Sequence, residues 1–127
     1  EELEWGTYLE RTANGDHDMF ILGWSTVTSD ADYGLYPLFH SSQHGSPGNR
    51  SFLDNEEVDK LLEDARMATD QDERQELYSE VQELLVEEAP MLYLNHGEHL
   101  LGVNDNVKDF TVDAQGIYQF KQAYIED

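Results

Sequence analysis

Over residues 54–90 the apolar side chains recur at three- and four-residue spacing, broken once and then resumed. A chain carrying two such stripes in succession reads as two consecutive amphipathic helices. Asp54 with Glu57 gives a capping-box-like start, and Val58, Leu61, Leu62, Ala65 and Ala68 fall on one helical face. Thr69-Asp70 restarts the pattern with Asp70 and Glu73 at capping spacing, Leu77, Val81, Leu84 and Leu85 make the second stripe, and Pro90 marks its stop. Glu73, Glu76, Glu80, Glu83 and Glu87 line the opposite face. Like charges at that spacing cost a few tenths of a kcal/mol per pair, so this face is expected to be solvated.

Upstream, Trp5, Tyr8, Leu9 and Ala13 lie at near-helical spacing and Asn14-Gly15 supplies a stop, which predicts a helix over residues 5–13. Met19, Phe20, Ile21 and Leu22 form an unbroken apolar run, the pattern of a strand covered on both faces, expected over residues 18–24. From Ser25 to Asn49 no period holds, and the stretch reads as a long loop with an aromatic island at Tyr33, Tyr36 and Phe39 and a turn at Ser46-Pro47-Gly48-Asn49. Downstream, residues 91–94 and 100–103 are apolar, and Val107, Phe110, Val112, Ile117, Tyr118 and Phe120 surround turn-like Asn104-Asp105-Asn106 and Asp113-Ala114-Gln115-Gly116. These segments read as short strands. Helix, strand, loop, two helices and several strands make an α/β class the expectation.

The chain has 127 residues, enough for one domain with a core, and 28 acidic residues against 7 Lys and Arg, a formal net charge of −21. Such a balance excludes nucleic-acid binding by phosphate neutralisation and disfavours anionic membrane surfaces. An aromatic content of 11% argues for a folded chain rather than an acidic disordered one. With no Cys there is neither a disulfide nor thiolate chemistry. No transmembrane span or signal peptide is read within the sequence, and Glu1 in place of an initiator Met makes a processed or excised piece of a longer chain the expectation.

Of the five His residues, His96 and His99 in His96-Gly97-Glu98-His99 are the tightest pair, but in an extended segment positions three apart face opposite ways. His40 and His44 complete no ligand pattern, so neither metal nor cofactor is expected. Asp30-Ala31-Asp32-Tyr33-Gly34 opens like a calcium loop, yet Ser41 stands where the bidentate Glu belongs. No phosphate loop, GxSxG elbow or HExxH is present, and no catalytic residue is assigned. Recognition of a small polar ligand is the first reading. Trp24 and Tyr33 offer flat apolar walls, Ser25, Thr26 and Thr28 offer hydroxyls, and Asp30 or Asp32 a charge for a ligand ammonium. The alternative for the same residues is that Trp24 is core and both Asp cap a turn. A metal-dependent hydrolase fragment using Asp and His is the alternative function.

The ordered set DMFILGW, SDADYGLYPLFHS, SPGN, NEEVDKLLEDAR, ERQELYSEVQELLVEEAPMLYL and VKDFTVDAQGIY resembles the C-terminal part of bacterial extracellular solute-binding proteins of the peptide-transporting family. The resemblance implies a C-terminal-lobe fragment of a two-lobed periplasmic-binding-protein type II fold, cluster C. Residues 1–90 would belong to the second lobe, and residues 91–127 would supply strands crossing the hinge. It further implies a peptide ligand (a dipeptide, an oligopeptide or glutathione), ABC permease subunits as partners, and a lipoprotein parent at the extracellular face or in the periplasm. Many dipeptide and oligopeptide binders of this family carry an Asp three positions after the Trp, and here that position is Val27. The run Asp30-Ala31-Asp32-Tyr33 is more similar to the branch that includes glutathione-binding proteins. Independently of any family, a net charge of −21 predicts relief by salt. Raising NaCl from about 0.1 M to about 2 M should lift Tm by about 5 °C, the shift that relief of about 1 kcal/mol of self-repulsion produces in a small domain. Thermal unfolding followed by circular dichroism measures it, and a falling Tm would contradict it.

Overall fold

The computed structural model describes residues 1–94, 98 and 100–126, so the expectation that His96 and His99 face opposite ways lies outside the described residues. In chain order it contains α1 (Trp5–Asn14), α2 (Ala31–Phe39), a 3-10 turn (Ser41–Gln43), α3 (Glu56–Met67), α4 (Gln71–Glu88), β1 (Val107–Lys108), β2 (Thr111–Val112), β3 (Tyr118–Gln119) and β4 (Tyr124–Ile125). The chain divides into two compact units, Glu1–Leu92 and Tyr93–Asp127.

In the first unit the two stripes meet. Val58, Leu62 and Ala65 of α3 and Tyr78, Val81 and Leu85 of α4 are buried together with Phe39 of α2, and Leu61, Leu77 and Leu84 flank them. Each large apolar side chain in this seam contributes about 1.5–3 kcal/mol through burial. The five glutamates on the opposite face of α4 are exposed, as expected of a solvated stripe.

Asp70 caps α4 by accepting hydrogen bonds from the amides of Asp72 and Glu73. The cap of α3 is Asn55 rather than Asp54. An amide serves here where a carboxylate does not: Asn55 Oδ1 accepts from the amides of Glu57 and Val58, while its Nδ2 donates to Glu88 Oε1 at 2.9 Å. One side chain thereby ties the start of α3 to the end of α4. α1 stops at Gly15, whose φ of 78° suits glycine. The guanidinium of buried Arg50 donates to Leu9 O at 2.7 Å and to Thr12 Oγ1 at 2.6 Å, placing positive charge at the carbonyl end of α1.

Two expectations fail in this unit. Residues 18–24 form no strand, and burial alternates along them, with Phe20, Leu22 and Trp24 half-buried while Met19 and Ile21 are 91% and 95% exposed. The apolar run suggested cover on both faces, whereas the segment buries one face only and takes a hydrogen bond at Ile21 O from the Tyr8 hydroxyl at 2.6 Å. The long loop is also interrupted: residues 31–39 are helical despite Gly34 and Pro37. A good cap and a buried end residue, Phe39, outweigh two residues of poor helix propensity.

The connection from α2 to α3 is organised by Asn49, which is fully buried. Its Nδ2 lies within donating distance of Phe39 O, His40 O and Leu53 O, at 3.2, 3.3 and 2.9 Å, and its Oδ1 accepts from Ser51 Oγ at 2.8 Å. Gly48 beside it has no room for a side chain, because a Cβ there would collide with the carbonyl oxygen of Pro37.

In the second unit β1 pairs with β4 and β2 with β3, both antiparallel, with Lys108 opposite Tyr124 and Val112 opposite Tyr118. The inner ladder lies within the sequence span of the outer one. Asp109, at φ 52°, breaks the chain between β1 and β2. The Asp113 carboxylate organises the β2–β3 turn by accepting from the amides of Gln115 and Ile117 and from Gln119 Nε2 at 2.9 Å. Both expected turns are therefore present. Residues 91–94 and 100–103 are not strands among the described residues, since an apolar run is a strand only where another backbone pairs with it. Asn49→Asp is expected to cost about 3 kcal/mol or more, because a carboxylate facing three carbonyl oxygens has no proton to offer them. Asn49→Ala should cost about 1–3 kcal/mol. Urea unfolding midpoints check both, and an Asp variant as stable as the parent would refute the assignment.

Candidate functional site

The corner between residue 24 and the first turn of α2 is built from local hydrogen bonds. Val27 N donates to Ser25 O at 3.1 Å and Ser29 N to Thr26 O at 3.0 Å, with Ser29 at φ 53°. Asp30 then caps α2, its Oδ1 accepting from Asp32 N at 2.8 Å. Thr28 Oγ1 accepts from Asp30 N at 3.3 Å.

Trp24 is fixed by an omission further along. Pro37 has no amide proton, so the Tyr33 carbonyl loses the partner it would have four residues on. The indole Nε1 of Trp24 donates to that oxygen at 2.8 Å. The Trp24 and Tyr33 rings lie 5.4 Å apart at a tilt of 32°. Thr26 is packed against the helix, since a Cβ on Gly34 would stand 3.1 Å from its methyl.

Both aspartates are engaged within the protein. Arg74 Nη2 of α4 lies 2.6 Å from Asp30 Oδ1, and the same nitrogen donates to the Tyr78 hydroxyl at 3.3 Å. Arg66 Nε of α3 lies 2.8 Å from Asp32 Oδ1, and its guanidinium carbon sits 3.7 Å above the Tyr36 ring. The hydrogen bond from Arg74, aided by the amide of Asp32, holds the Asp30 carboxyl below its ordinary range, and Asp30 in turn raises Arg74. Burial pushes the Tyr78 phenol up.

Of the residues expected to bind ligand, Trp24, Thr26, Asp30, Asp32 and Tyr33 are partly buried in this one corner, whereas Ser25 and Thr28 are exposed beside Val27, itself 62% exposed. Arg66, Arg74, Tyr36 and Tyr78 were not foreseen as part of it. Scarcity was the available signal: with seven Lys and Arg in the chain, a guanidinium at the edge of each helical stripe is a marker for a carboxylate that must be neutralised.

His40, His44 and Asp59 have structural partners. His40 Nδ1 accepts from Ser42 N at 3.0 Å, so its proton resides on Nε2, 3.3 Å from Glu63 Oε1. Asp59 accepts from the amide and hydroxyl of Ser41. His44 Nε2 donates to Leu53 O at 2.9 Å. Among the described residues no group of three or more His, Cys, Asp or Glu converges to hold a metal.

Comparison with known proteins accords with this geometry. No family model matches the chain. It is 38% identical over 110 residues to the probable D,D-dipeptide-binding periplasmic protein DdpA of Escherichia coli (strain K12), covering 87% of this chain and 21% of that protein. It is 31% identical over 122 residues to di/tripeptide-binding protein 1 of Pseudomonas aeruginosa (strain UCBPP-PA14), covering 96% and 22%. The chain is a relative of the periplasmic peptide-binding proteins. Among solved structures, the ABC transporter-associated periplasmic binding protein DppA from Helicobacter pylori in complex with the peptide STSA matches at a TM-score of 0.66 and 37% identity, over 71% of this chain and 18% of that one. The fold is thus that of a segment of a periplasmic peptide-binding protein, and the chain spans about a fifth of the length of these relatives.

The corner at residues 24–37 can be tested by substitution. Trp24→Phe removes the donor to the Tyr33 carbonyl and should cost about 1–3 kcal/mol. Adding Pro37→Ala should recover most of that loss, because an amide at position 37 satisfies the same oxygen. A double-mutant cycle in urea measures the coupling, and additive losses would contradict it.

Proposed function

We propose that the chain is part of the second lobe of a two-lobed solute-binding protein, and that it contributes one wall of a cleft that captures peptides for an ABC importer. The observation that carries this reading is the corner at residues 24–33, a polar, aromatic loop held by an indole hydrogen bond and two half-buried ion pairs in a chain whose relatives are peptide-binding proteins. On this reading residues 1–90 belong to that lobe and residues 91–127 return across the hinge toward the first. The parent acts by binding rather than by catalysis, in the periplasm or at the extracellular face of the membrane, and hands its ligand to permease subunits.

The chemistry open to the wall is limited and specific. The indole N–H of Trp24 is committed to Tyr33 O, so Trp24 offers a ring face and not a donor. Ser25 and Thr28 are exposed, and their hydroxyls can serve the amides and carbonyls of a peptide backbone. Closure of the opposing lobe would remove water and strengthen each of these bonds.

One wall is a poor site by itself. Calorimetry on the full two-lobed protein with di- and tripeptides should give a measurable Kd, and the same titration with residues 1–127 alone should give none in the micromolar range. Micromolar binding by the isolated chain would overturn the assignment of half a cleft, and a full protein that binds no peptide would overturn the reading.

A further inference from the structure

An acidic chain with a ligand loop that carries two aspartates invites a simple expectation, that those carboxylates hold the positive end of a peptide. The side chains point elsewhere. Asp30 Oδ1 receives Arg74 at 2.6 Å and the amide of Asp32 at 2.8 Å. Asp32 Oδ1 has Arg66 at 2.8 Å. Each guanidinium is itself held from behind by a ring, Arg74 with its carbon 4.8 Å from the Tyr78 centroid and Arg66 3.7 Å over Tyr36. A ligand ammonium arriving here would meet two carboxylates already neutralised by preorganised cations that would also repel it. The exposed crown of the loop, Ser25, Val27 and Thr28, carries no charge.

We infer that Arg66 and Arg74 are positioning residues that mask Asp30 and Asp32, so that this wall reads the uncharged backbone of a peptide and does not recognise its α-ammonium. The inference rests on the peptide reading above and narrows its substrate class: on this wall, peptides with a blocked amino terminus are accepted as readily as free ones. Asp30 and Asp32 set the shape of the wall by fixing the first turn of α2, and the arginines keep their charge out of recognition.

The test compares a free tripeptide with its N-acetyl form by calorimetry on the full two-lobed protein, and uses the ratio of the two affinities, which cancels general losses of folding or fit. Asp30→Asn and Asp32→Asn should each change that ratio by less than threefold while lowering Tm. Arg74→Met should expose a carboxylate and shift the ratio at least threefold toward the free amine, and Arg74→Lys should restore the parent ratio. A tenfold loss of preference for the free peptide in Asp30→Asn or Asp32→Asn would overturn the inference and leave the peptide reading intact. An Arg74→Met protein that folds, as judged by Tm, with an unchanged ratio would also count against masking. If the parent binds neither peptide, the peptide reading fails and the inference falls with it, an outcome distinct from a shifted ratio.

Discussion

The pairing of Arg66 with Asp32 and of Arg74 with Asp30 joins the helical core to the polar loop. α2 has nine residues, with Gly34 and Pro37 inside it, well below the length at which a helix is stable on its own. Its amino-terminal turn is fixed from outside by two arginines, one from each core helix, and its far end by Phe39 in the apolar seam. Between those ends Trp24 supplies the hydrogen bond that Pro37 cannot. Removing any one of these contacts would leave α2 with fewer constraints than its sequence requires, and the direction of the preceding loop depends on α2. In a chain with 7 basic and 28 acidic residues, two guanidiniums on one short helix are a large share of what is available.

The parts of the fold that could be read in the sequence are those whose determinants lie within one helical turn of each other. α1, α3 and α4 follow from their apolar stripes, and Gly15 and Asp70 end or start them as their chemistry dictates. The cap of α3 was displaced by one residue because only the structure reveals that Asn55 also reaches Glu88. α2 was hidden for a different reason. Gly34 and Pro37 argue locally for a loop, and the forces that override them come from residues as far away as position 74. Long-range compensation of that kind leaves no periodicity to detect.

The same distinction explains the site. The aromatic and hydroxyl residues proposed to form the wall were legible as residue types, and they lie together at residues 24–33. The engagement of the two aspartates was not, because a carboxylate in a sequence carries no mark of its partner. The apolar run at residues 18–24 presents the converse case: four consecutive apolar residues suggested a strand covered on both faces, whereas no strand forms, one face only is buried and Ile21 is almost fully exposed. Hydrophobic content reports that a segment can be buried, while its partner decides whether it is.

A strongly acidic protein faces a particular difficulty as a binder. Its field attracts cationic solutes of every kind, so an unmasked carboxylate in a binding loop would add affinity without adding much discrimination. On the proposed reading, neutralising such carboxylates internally would turn them from recognition groups into struts and leave selection to hydroxyls, a ring face and the fit of a closed cleft. On the proposed peptide reading, the hydroxyl and backbone geometry at residues 24–33 would discriminate by shape, since a misplaced peptide amide loses a hydrogen bond in a site closed to water. The cost is that two of the few arginines are committed to structure. That commitment is consistent with their placement, because a guanidinium that lies over a tyrosine ring and is ion-paired with a carboxylate has little freedom left to lose and holds its partner more rigidly than lysine would.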